Sequence, residues 1–182
     1  MRGTILFTIA VLASLTAVPG QTNGRQVRSL KAVSSTTAAP CRGADLSVRY
    51  VDDDAAMGGV HVATFAFKNE SASPCALMGY PVFHLLNGSG RVLRRGRAIN
   101  SRQLPGDEAP MPPQLITVEP GKEAGFRVYF NTGGAGYLGK PCPTSRKVWI
   151  SAPGSSRSFI LKQEIQSCTT VKVSSIRGGA IE

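Results

Sequence analysis

Histidine is the scarcest reactive residue in this chain. There are two among 182 residues, His61 and His84. Both sit inside alternating apolar segments, and no serine lies in a Gly-x-Ser-x-Gly elbow, so a Ser-His-Asp triad has almost nothing to be built from. Close-spaced cysteines are missing too. Cys41, Cys75, Cys142 and Cys168 never form a Cys-x-x-Cys, which removes the usual zinc ligand spacing. Acid is sparse, with 11 Asp and Glu against 21 Lys and Arg. After residue 20 no apolar run approaches the ~20 residues a membrane helix needs. No segment carries a helical period. Together these absences argue against an enzyme, a cofactor site and a helical fold.

Turn residues are plentiful instead: 20 glycines and 12 prolines, with 42% hydrophobic residues. That is enough apolar surface for one domain with a core, built from short strands and many turns. At the start, Met1-Arg2, an apolar stretch from Ile5 to Ala13, and Val18-Pro19-Gly20 have the composition of a secretory signal peptide over residues 1–20. Residues 21–40, including Ser34-Ser35-Thr36-Thr37-Ala38-Ala39-Pro40, read as a disordered linker. The folded domain is expected over 41–177 and a short tail over 178–182.

An exported chain makes four cysteines a disulfide framework, for which three pairings exist. Strand order selects among them. If 45–51 and 60–68 run antiparallel, Cys41 before the first lies beside Cys75 after the second. Cys142 precedes the strand at 146–151 and Cys168 follows its hairpin partner at 158–162. The expected bridges are Cys41–Cys75 and Cys142–Cys168.

Period-two alternation continues along the domain. Leu46, Val48 and Tyr50 share one face of a first strand, which Asp52-Asp53-Asp54 is expected to end as a solvated turn. Phe65 and Phe67 anchor a second strand over 60–68, and Asn69 to Pro74 is a turn. A third strand opens at Pro81 and reaches Leu86. The turn Asn87-Gly88-Ser89-Gly90 returns the chain into Arg91-Val92-Leu93. Residues 94–113 read as the longest irregular part. Beyond it the pattern predicts a hairpin of 115–118 with 124–130, a glycine-rich loop over 131–140, a hairpin of 146–151 with 158–162, and a last strand over 170–176. About eight or nine short strands with turns at this spacing indicate an all-β antiparallel sandwich.

Several motifs, taken in order, also resemble a known family. Phe67-Lys68-Asn69-Glu70-Ser71 leads to Cys75 and then Gly79-Tyr80-Pro81. Val118-Glu119-Pro120-Gly121-Lys122 follows, then Cys142 with Val148-Trp149-Ile150, and Cys168 with Val171-Lys172-Val173. The order resembles that of the secreted bacterial family catalogued as domain of unknown function 4232, over about residues 41–176. The chain departs from it at Phe130, where the family often has tryptophan, and in the insert from Arg94 to Pro113. The resemblance implies an immunoglobulin-like sandwich and supplies no function.

Three constellations bear on chemistry. Arg91, Arg94, Arg95, Arg97 and Arg102 form the densest charge cluster, a candidate site for phosphate or an anionic envelope polymer. No aromatic residue interleaves with it, so stacking on single-stranded nucleic acid is unsupported, and no sequence-specific nucleic-acid partner is expected. Met57, His61, Met78, His84 and Met111 are copper ligand types, but without His-x-His spacing. Asn69-Glu70-Ser71 and Asn87-Gly88-Ser89 are formal glycosylation sequons placed in turns. From residues 41 to 168 the chain has fifteen basic and ten acidic side chains. The sequence thus points to an exported, secreted or envelope-located, non-enzymatic module without a cofactor. It would bind an envelope protein or an anionic polymer, with anion binding at the arginines as a second reading and copper binding as a third.

Overall fold

The computed structural model describes residues 38–133 and 141–178. The expected signal peptide, most of the linker, the glycine-rich segment 134–140 and residues 179–182 lie outside the described residues. The fold is an all-β, immunoglobulin-like sandwich. In chain order the strands are β1 (Leu46–Ala56), β2 (Val60–Asn69), β3 (Cys75–Leu77), β4 (Val82–Leu86), β5 (Val92–Arg97), β6 (Ile99–Asn100), β7 (Ile116–Val118), β8 (Glu123–Asn131), β9 (Thr144–Ser145), β10 (Lys147–Ser151), β11 (Ser158–Leu161), β12 (Ile165–Gln166) and β13 (Lys172–Val173). One five-stranded sheet has the order β1-β2-β8-β13-β6 and the facing four-stranded sheet β11-β10-β4-β5. The pairs β12-β9 and β3-β7 close the ends. There are more strands than the eight or nine expected because several are pieces of two or three residues.

The inward faces follow the alternation. Phe65, Phe67 and Phe126 come from the five-stranded sheet and Phe83 from the other, all of them fully buried. Phe65 packs against Phe83 with ring centroids 5.3 Å apart and against Phe126 at 5.5 Å. Phe67 reaches Phe159 of β11 at 6.2 Å. The Phe65–Phe83 and Phe67–Phe159 contacts join the sheets, and such aromatic pairs add about 0.5–1.5 kcal/mol each beyond the area they bury. Among the described residues, β13 with β6 is the parallel pair of strands, and Pro40 with Ala76 forms an isolated parallel bridge; the other strand pairs are antiparallel.

Both expected disulfides form, Cys41–Cys75 with Cα atoms 4.8 Å apart and Cys142–Cys168 at 4.7 Å. On the chain-entropy account a loop of this size is worth roughly 3–4 kcal/mol. The domain starts two residues before Cys41: the Cys41 amide donates to the Ala76 carbonyl and the Ala76 amide to Ala39, so Ala39 and Pro40 run beside β3 rather than belonging to a disordered linker.

Four expectations need correction. Asp52-Asp53-Asp54 does not end β1. A bulge at Val51 absorbs the run, and Asp52, Asp53 and Asp54 pair with Thr64, Ala63 and Val62. A bulge shifts the register by one residue, so a polar run can stay in the strand while the apolar face before it still points inward. Residues 115–118 do not form a hairpin with β8. Both edges of β8 are taken, by β2 and β13, so β7 pairs with β3 at the Cys41–Cys75 end. The part expected to be irregular from residue 94 begins as strand, with β5 and β6 continuing to Asn100. The last strand is only Lys172–Val173.

The turn after β2 depends on one buried polar side chain. Asn69 is fully buried; its Nδ2 donates to the carbonyls of Ser73 and Val118, and its Oδ1 accepts from the Ser71 amide and hydroxyl. Its amide nitrogen is therefore committed, and this sequon is closed to modification in the folded chain. Because Asn69→Ala leaves the buried Val118 carbonyl and the Ser71 amide without their partner, we expect it to lower unfolding stability by about 1–3 kcal/mol. Urea denaturation at constant m-value checks this, and a loss below 1 kcal/mol would contradict the role given to Asn69.

Candidate functional site: an arginine bulge on an edge strand

β5 is an outer strand of the four-stranded sheet, and its pairing with β4 is interrupted. Leu86 faces Val92 and His84 faces Arg97, so two steps along β4 correspond to five along β5. The surplus falls on Arg94-Arg95-Gly96. Two backbone features hold this excursion. Arg95 is the only non-glycine with positive φ among the described residues, at 63°, a left-handed conformation that side chains other than Asn, Asp or Gly seldom adopt. Gly96 is buried, and a Cβ there would lie 2.8 Å from the Leu85 carbonyl oxygen and 2.9 Å from that of Leu93. Only glycine lets the backbone pass this close to its neighbours.

Arg94 and Arg95 are exposed by the bulge and line a cleft of about 360 Å³ with Pro143 and Cys168, at the Cys142–Cys168 end. Arg95 Nη1 lies 3.5 Å from the Cys168 carbonyl oxygen, a long contact that leaves the guanidinium largely free. The other three arginines are placed differently. Arg91 ends the β4–β5 turn, where its amide donates to Asn87 Oδ1. Arg97 faces outward beside His84. Arg102 follows β6, after the chain has crossed to the other sheet through Ile99 N–H to Val171 O and Ser101 N–H to Val173 O. The five do not converge on one loop site; Arg94 and Arg95 do. Among the described residues none of the five forms an ion pair with a carboxylate, whereas Arg42, Arg49, Lys68, Arg127 and Arg177 all do.

The copper ligand types are dispersed. His61 sits in the five-stranded sheet, stacks on Phe130 at 5.0 Å and places Nδ1 2.9 Å from Asp53 Oδ2. His84 lies on the outer face of the other sheet, stacked on Trp149 at 5.1 Å. Burial, reinforced by the Arg97 charge, lowers its pKa from the ordinary imidazole value. Met57 is fully exposed in the β1–β2 turn, Met78 precedes Gly79, and Met111 lies on the long loop. Among the described residues no three His, Cys, Asp or Glu side chains gather as a metal site.

Two arrangements escaped the sequence reading. The first is a carboxylate clamp. Asp107, with a side chain only 4% exposed, is held by Arg127 and Arg177; Arg177 donates at 3.1 Å to Oδ1 and 3.0 Å to Oδ2, and the Leu104 amide donates at 2.7 Å to Oδ2. This pins the segment 101–115 onto the outer face of the five-stranded sheet. Burial lowers the pKa of both guanidiniums, yet arginine stays charged at any ordinary pH. Asp107 occurs in Pro105-Gly106-Asp107-Glu108, which gives a turn signal and no hint of partners 20 and 70 residues away. The second is the row formed by Trp149 and its cross-strand neighbours His84 and Ile160.

Residues 41–181 match the model of the family described as Domain of unknown function (DUF4232). No curated protein and no solved structure matches the chain.

Gly96→Ala tests how the arginines are presented. The new Cβ would have to displace backbone oxygen, a strain of about 1–3 kcal/mol. Differential scanning calorimetry should show that loss, and the Arg94 and Arg95 amide resonances should move while those of β8 stay in place. An unshifted melting temperature with unmoved resonances would contradict the bulge geometry.

Proposed function

The chain belongs to the family described as a domain of unknown function (DUF4232), and on that footing we propose that it is an exported, non-enzymatic binding module whose ligand or partner is anionic and is held at the β5 bulge. One observation carries the reading: Arg94 and Arg95 stand side by side on a cleft, unneutralised, on a backbone that a strained residue and an obligatory glycine hold out of the strand. Strain of this kind costs about 1–3 kcal/mol and concentrates at functional positions. A guanidinium pair suits planar, doubly accepting groups such as carboxylate, sulfate and phosphate. Support for export comes from the two disulfides, which persist in oxidising compartments, and from the signal-like composition of residues 1–20. Among the described residues, no helix is long and apolar enough to cross a membrane.

Heparin chromatography tests this reading. The triple variant Arg94→Ala, Arg95→Ala, Arg97→Ala should elute at clearly lower salt, with affinity about tenfold or more weaker. The control Arg42→Ala, Lys68→Ala, Lys122→Ala removes the same charge away from the bulge and should elute near the parent. Equal losses in the two variants would show bulk charge attraction and no site. Unchanged retention of the first would end the anion reading.

A further inference from the structure

The outward face of the four-stranded sheet is unlike an ordinary solvated face. Register places Ile160 of β11, Trp149 of β10, His84 of β4 and Arg97 of β5 in one row across all four strands. At a strand spacing of roughly 4.8 Å the row is about 14 Å wide. Ile160 is 61% exposed and Val82, on the same face as His84, is 45% exposed. Lys147 shares the face with Trp149, since residues two apart on a strand point the same way. The result is an apolar, aromatic ridge with cationic side chains at its border, and the bulge arginines lie on β5 itself, just before Arg97.

We infer that this face docks onto an anionic bilayer surface, with Ile160, Val82 and Trp149 entering the headgroup region while Arg97, Lys147 and the bulge arginines meet the lipid phosphates. The chemistry selects this occupant. A soluble polyanion would use the arginines but has no use for exposed isoleucine and valine, whereas the interfacial zone takes up aliphatic side chains and favours tryptophan. Each arginine or lysine near an anionic surface strengthens binding several-fold, and salt weakens that part. A second copy of the chain is disfavoured as occupant, because the cationic borders of two such faces would meet. The inference rests on the anion-binding reading of the arginines and adds to it a second contact made of apolar side chains.

The test uses vesicles of phosphatidylglycerol with phosphatidylcholine, vesicles of phosphatidylcholine alone, heparin and poly-L-glutamate. Trp149 is the only tryptophan, so its fluorescence reports this face directly. The protein should sediment with the anionic vesicles and not with the zwitterionic ones, and its emission should shift to the blue on binding. The double variant Val82→Ser, Ile160→Ser should bind those vesicles about tenfold more weakly. It should keep its far-UV circular dichroism and its heparin retention. Heparin retention without vesicle binding, or vesicle binding without an emission shift or without loss in the double variant, would overturn this inference and leave the anion reading standing. The same blue shift with poly-L-glutamate would assign the face to an acidic protein and overturn it as well. Binding to neither heparin nor vesicles would end both readings.

Discussion

Phe65 touches Tyr50, Phe83 and Phe126, with ring centroids between 5.3 and 5.6 Å away, and every larger feature of the domain depends on that cluster. It takes one residue from each of the strands β1, β2, β4 and β8, so it fixes both the separation of the sheets and the register within them. Burial of large apolar rings is the main favourable term available to a domain of this size. Fixing these rings commits Thr64, Arg127, His84 and Trp149 to the outer faces, because a strand alternates without exception unless it bulges. The outer chemistry is thus a consequence of the inner packing. The disulfides act at the ends: Cys41–Cys75 ties the start of the domain to β3, and Cys142–Cys168 ties the segment before β9 to the one before β13.

The two outer faces have been resolved in opposite ways. On the five-stranded sheet the long segment after β6 is drawn down by Asp107, and Arg49 is paired with Glu123 by two hydrogen bonds at 2.8 and 2.7 Å. Lys172 lies over the Tyr129 ring. The arginines Arg49, Arg127 and Arg177 on that side each meet a carboxylate within the domain. On the four-stranded sheet the arginines of β5 have no acid to meet, and apolar side chains remain in solvent. The Asp107 carboxylate is committed to two guanidiniums within the domain, whereas the arginines of β5, beside an exposed aliphatic ridge, have no carboxylate partner among the described residues. The proposal of a binding surface on the four-stranded side rests on that contrast.

Much of this was legible in the chain. Period-two alternation identified β1, β2, β4, β8, β10 and β11 and the inward placement of Phe65, Phe67 and Phe126, because a residue in a half-buried strand reports its own face. The cysteine pairs followed from strand neighbours. What was not legible depended on pairing at long range. The partner of β7 was misread because Glu119-Pro120-Gly121-Lys122 makes a turn whether or not its flanks pair with each other. The acidic run stayed in β1 because a bulge at Val51, invisible in composition, reset the register. Arg94 and Arg95 carry a visible charge signal, but their separation from Arg91 depends on the bulge within β5 and that from Arg102 on the crossing between sheets at Ala98-Ile99. The Asp107 clamp depended on a segment folding back over β8 and had no local signal.

Anion binding at the β5 bulge can be followed residue by residue in an amide-resolved titration. With 15N-labelled protein and a short-chain polyphosphate, saturable shifts should concentrate on Arg94, Arg95, Gly96 and Cys168, with little movement at Lys68, Lys122 or around the Asp107 clamp. Shifts spread evenly over the basic residues, or centred on Met111, Ile176 and Arg177, which line a separate groove of about 250 Å³ beside the long loop, would contradict anion binding at the bulge.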